Sequence, residues 1–112
     1  MSVAWARAED GDVALVANLL EHVARVSGVP VPALLSPRRA LRYVEPRHVA
    51  MYLARELTDL SWHALAEIFQ RDHTTLLFAH RKVRDGMSRR GVDSKRIHDL
   101  AKQVMRDMGV ES

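Results

Sequence analysis

Residues 69–83 read FQRDHTTLLFAHRKV, and how this stretch divides decides the fold. Asp72 has the short acceptor side chain favoured at helix N-caps. Behind it come His73, two threonines, apolar residues at helical spacing and a cluster of bases. Placed at 100° steps, Leu76, Leu77, Val83 and Met87 gather on the expected core side. Thr74, Thr75, Phe78, Arg81 and Lys82 lie mainly on another side, so Phe78 is expected to be at least partly exposed.

Just upstream, Ser61 is a second candidate N-cap. It precedes a shorter helix whose apolar side is Trp62, Leu65, Ala66 and Phe69. Two helices in succession, Ser61 to Phe69 and Asp72 to about Met87, have the proportions of a helix-turn-helix. Many helical bundles contain such a pair, so the proportions alone are a weak sign.

The flanks are helical too. From Asp12, Val13, Val16, Leu20, Val23 and Val26 recur at helical spacing, and Gly28 is the expected C-cap. The piece VPVPALLSP holds a short turn of helix around Ala33 to Leu35. After the basic connection SPRRALRYVE, Pro46 is placed in the first turn of a helix with Ala50, Leu53, Ala54 and Leu57 on its inner face. A last amphipathic helix carries Ile97, Leu100, Ala101, Val104 and Met108, beyond a break marked by Gly91. The expectation is an all-α fold of five to six helices around a central helix-turn-helix. Residues 1–11 are read as a flexible arm and 12–112 as one domain.

Composition narrows the function classes. The 112 residues are 47% hydrophobic but only 5% aromatic, which suits a helical core of Leu, Val and Ala. A net charge of +3 and a pI of about 9.8 make nucleic acid or an acidic partner the natural ligand classes. The positive charge is local: Arg38, Arg39, Arg42, Arg47 and Arg55 fall between Ser36 and Arg55, against Glu45 alone. The absence of cysteine removes disulfides and thiolate metal sites. No apolar run approaches membrane-spanning length, so a soluble, cytoplasmic protein is expected. The six histidines include no i, i+4 pair and no His-Glu-x-x-His, and the serines lack a nucleophile elbow. Neither an enzyme nor a metal or cofactor site is expected.

The helix beginning at Asp72 has two explanations. Entering a major groove, it presents Asp72 to cytosine N4, threonine methyls to thymine methyls and His73 to base edges, with the basic last turn on flanking phosphates. Capping and dipole complementarity explain the same residues without a ligand. By composition alone the second stands slightly ahead.

The longer string changes that balance. RDHTTLLFAHRKV resembles the signature of the C-terminal DNA-binding domain of DnaA, the bacterial chromosomal replication initiator family. VPVPALLSPRRALRYVEPRHVAMYLARELTDLS is similar to that family's short helix, basic loop and following helix, so the resemblance covers roughly Val23 to Arg84. It implies a helix-turn-helix of the Trp-repressor-like kind that binds double-stranded DNA. Asp72, His73, Thr74 and Thr75 match the family's major-groove readers, and Arg39 matches an arginine inserted into the neighbouring minor groove. Arg47, Arg55 and Lys82 match positions that approach phosphates, while Arg38 and Arg42 are basic neighbours in the loop. His48, His63, Arg71 and Phe78 complete the expected interface. His63 stands where some members have a DNA-contacting proline, and Phe78 replaces a polar residue.

Two departures matter. FQRDHTT is one residue shorter than the family's pattern, with Gln70 in place of two glycines, so the turn must differ. The chain also contains no Gly-x-x-x-x-Gly-Lys phosphate loop, so ATP hydrolysis by that route is not expected of it. A sequence-specific DNA-binding protein acting in transcription is the leading expectation, with transcription or replication proteins as further partners. A replication factor at DnaA-type boxes is one alternative. A helical adaptor using the basic loop to bind an acidic protein is another. Phe78 is open to a dimer contact, to packing under the last helix, or to a thymine methyl.

Overall fold

The computed structural model describes residues 4–88 and 92–110, and the side chains of residues 11–87 and 95–110. Among them are six helices and no strand: α1 (Ala4–Ser27), α2 (Val31–Leu34), α3 (Leu41–Leu57), α4 (Trp62–Phe69), α5 (His73–Ser88) and α6 (Val92–Met108). The all-α expectation holds. Residues 1–3 of the expected arm, and Gly91, lie outside the described residues. The backbone of residues 4–11 continues α1.

Helix α3 is the axis of the fold, since each of the other five helices packs against it. Its Val49, Ala50, Met51, Leu53 and Ala54 are buried. Around it close Val16, Leu19, Leu20 and Val23 of α1, Leu76, Ala79 and Val83 of α5, and Ile97, Ala101 and Val104 of α6. The i, i+4, i+7 pattern that predicted these helices is the pattern by which they pack. Val13, expected on the inner stripe, is 45% exposed instead, because the stripe reaches the core only from Val16 onwards. Gly86 lets α5 and α6 approach: a Cβ there would sit 3.3 Å from Ile97 Cγ2.

Two connections are set by backbone chemistry. Gly28 ends α1 at φ 77° and donates its N–H to the Ala24 carbonyl at 2.8 Å. Pro46 is not in a first turn. Helix α3 begins at Leu41, so Pro46 lies inside it, and the Arg42 carbonyl has no N–H from residue 46 to accept. The helix tolerates this because it is supported from outside. Pro46 is buried, and Arg47 anchors the preceding loop from the next position.

Candidate nucleic-acid interface

The helix-turn-helix is built as its caps predict at one end and not at the other. Ser61 Oγ accepts from the Ala64 N–H at 3.1 Å, the N-cap bond expected of it. At the far end of α4 the chain turns through Gln70, whose φ of 57° and ψ of 46° are left-handed. It is the one non-glycine residue with positive φ among the described residues. The turn closes by Gln70 N–H to Glu67 O at 3.2 Å and Arg71 N–H to Ala66 O at 2.9 Å, a Schellman pair that needs the left-handed residue. One residue thus replaces the family's two glycines, at the cost of backbone strain.

At the start of α5 the Asp72 carbonyl accepts from the Thr75 and Leu76 N–H groups at 3.0 and 3.4 Å. Asp72 therefore occupies the N-cap position, but its carboxylate has no hydrogen bond among the described residues. Asp72, His73 and Thr74 are exposed and Thr75 is half-buried. The His73 ring lies 4.5 Å, centroid to centroid, from that of His63 on α4. Both border an open cleft between the two helices that also includes Glu67, Gln70, Arg71 and Thr75. Farther along α5, Phe78 is 56% exposed. It therefore does not pack under the last helix. Lys82 Nζ lies 5.9 Å from its ring centroid, and the His48 ring meets it edge-on at 6.2 Å.

The basic residues divide into two groups that sequence alone does not separate. Arg47 is only 5% exposed. Its Nε donates to Leu34 O at 2.7 Å, Nη1 to Arg38 O at 2.9 Å and Nη2 to Ala33 O at 3.3 Å. This corrects its expected place on the phosphates: its fork holds the α2–α3 connection in shape. Arg55 is also drawn inward, donating to Leu60 O at 2.7 Å with its guanidinium 4.4 Å over the Trp62 ring. Arg71 donates to the Ser36 carbonyl. It thereby ties the turn of the helix-turn-helix to the basic loop.

The second group faces outward. Arg38, Arg39, Arg42, Arg81 and Lys82 are exposed. Arg39 has no hydrogen bond or ion pair among the described residues. Arg38 Nη1 and Arg42 Nη2 both donate to the Tyr43 hydroxyl, at 3.1 and 2.8 Å, and both guanidinium carbons lie within 5.3 Å of its ring centroid. These donors hold the Tyr43 phenol below its ordinary pKa. Sequence reasoning missed Tyr43, because Arg38 lies in a loop, where spacing predicts no geometry.

His48 faces this cationic surface from α3. Burial, reinforced by Lys82 and Arg47, lowers its pKa to about 4, so the ring is neutral at pH 7. No group of three or more His, Cys, Asp or Glu side chains able to hold a metal ion occurs among the described residues. Nor is any described helix long and apolar enough to cross a membrane.

Residues 16–83 match the family described as bacterial dnaA protein helix-turn-helix. The chain is 38% identical over 97 residues to a chromosomal replication initiator protein DnaA of Corynebacterium jeikeium, a match covering 85% of this chain and 16% of that protein. It is 36% identical over 84 residues to the DnaA of a Thermoanaerobacter species, covering 75% and 19%. It is 41% identical over 86 residues to that of Paraburkholderia phymatum, covering 76% and 16%. The chain thus spans less than a fifth of the length of these relatives. With more than half of its residues matched, helices and turn included, the chain belongs to the bacterial DnaA helix-turn-helix family.

Proposed function

We propose that this protein binds double-stranded DNA sequence-specifically with a two-part grip. The start of α5 enters the major groove, where the free Asp72 carboxylate accepts from a cytosine amine and His73, Thr74 and Thr75 meet neighbouring base edges. Arg39 enters the adjacent minor groove, where a narrow A·T-rich segment concentrates negative potential. Arg38, Arg42, Arg81 and Lys82 approach phosphates on either side. The observation that carries this reading is the Arg71–Ser36 hydrogen bond, which makes the turn before α5 and the loop bearing Arg39 one unit.

The corrected arginine roles change the expected salt response. Neutralising about four phosphates gives a slope of log affinity against log salt of about −4. Fluorescence anisotropy with a duplex carrying a DnaA box and a scrambled duplex tests the proposal. A box preference that survives physiological salt supports it, and no binding to either duplex refutes it. In this reading the grip serves transcriptional regulation, and chromatin immunoprecipitation is the check: sites at promoters support that role, whereas sites confined to an origin assign the grip to replication. Loss of an acidic protein partner in Arg39→Ala, with DNA binding unchanged, is the result that favours an adaptor.

A further inference from the structure

Phe78 is an apolar group in an otherwise polar and charged surface. On α5 it stands one turn beyond Thr74 and one turn before Lys82, and i, i+4 spacing places all three on one exposed face. Its ring is 56% exposed and the His48 ring supports it edge-on from α3. His48 is neutral at pH 7, so the two rings form an uncharged patch beside Lys82. A helix rises ~6 Å in four residues, so Phe78 lies roughly two base pairs along the groove from the reach of Thr74. Among the features that base pairs display in the major groove, the C5-methyl group of thymine is apolar, and the other edges are hydrogen-bond donors and acceptors.

We propose that Phe78, supported by His48, is a specificity residue that selects a 5-methylpyrimidine on the major-groove edge, about two base pairs from the step contacted by Thr74. This rests on the DNA reading above. The methyl comes from thymine or from 5-methylcytosine, and the two sources can be separated.

The test uses the tightest duplex recovered from a randomised pool, with each thymine replaced singly by deoxyuridine. Burying one methyl group corresponds to about a fourfold change in affinity. At one thymine, wild-type affinity is expected to fall about that much, and in Phe78→Ala the penalty at that position disappears. Penalties at thymines met by Thr74 or Thr75 remain in both proteins. Phe78→Leu, which keeps an apolar side chain, retains the discrimination. Placing cytosine and then 5-methylcytosine at the same position separates the sources: a gain on methylation in wild type alone admits both bases, and no gain confines the patch to thymine. Equal uracil penalties in wild type and Phe78→Ala at every position overturn the inference while leaving the DNA grip standing. Absence of binding to any duplex overturns both.

Discussion

Arg71, the last residue before the N-cap of α5, donates from its guanidinium to the main-chain carbonyl of Ser36, thirty-five positions earlier. One hydrogen bond therefore joins the two segments that, in the proposed grip, meet DNA in fixed register. Removing it leaves each reader intact but loosens their relative placement, which then rests on packing against α3, and pre-organisation is what a two-groove grip depends on. Arg71→Ala is expected to weaken box binding by about tenfold, the equivalent of one charge-assisted hydrogen bond. Combined with Arg39→Ala it should add little, because both changes disable the same contact. Strict additivity in anisotropy titrations means instead that Arg71 contacts DNA directly.

Arg47 serves stability in this structure. Its replacement by alanine strands the Leu34 and Arg38 carbonyls, while Ala33 O keeps the Ser36 hydroxyl, and removes a buried fork, at a cost of about 3 kcal/mol. Arg47→Lys recovers little of this, since a single ammonium cannot reproduce the planar three-donor geometry. Urea unfolding measures both. A variant of unchanged stability whose salt slope shrinks by about one returns Arg47 to the phosphates.

Gln70 holds a left-handed backbone that glycine adopts without a steric penalty. Gln70→Gly is expected to stabilise the fold by about 1 kcal/mol, raising the melting temperature by roughly 5 °C. Calorimetry that shows a lower melting temperature contradicts the strain argument. DNA affinity should change little, since the Schellman pair and the start of α5 are kept.

His48 links stability to pH. Its folded pKa of about 4 lies below the ordinary 6.5, so the unfolded chain binds the proton more readily. Its contribution is fully present above pH 6.5 and is lost as pH falls from 6.5 towards 4. Allowing for partial solvent access, the loss is on the order of 2 kcal/mol. Thermal melts of wild type and His48→Gln across that range should diverge, with the variant showing the flatter profile. Parallel profiles assign the acid sensitivity to other groups.

What could be read from the chain was whatever depends on near neighbours. Core positions at helical spacing, the Ser61 cap, the Gly28 stop and the exposed start of α5 all follow from chemistry within a turn or two of helix, so periodicity and capping rules reach them. Even the departure at Gln70 was visible as a missing glycine, although its left-handed solution was not. The fate of each arginine lay beyond local reading. Arg38, Arg39, Arg42 and Arg47 sit within ten residues of one another and look equivalent in sequence. The fold buries Arg47 among carbonyls up to fourteen residues away, gathers Arg38 and Arg42 on Tyr43, and leaves Arg39 exposed. Arg71 finds its partner only because α3 brings the basic loop beside the turn. A guanidinium goes where acceptors are unsatisfied, and tertiary packing decides which carbonyls those are.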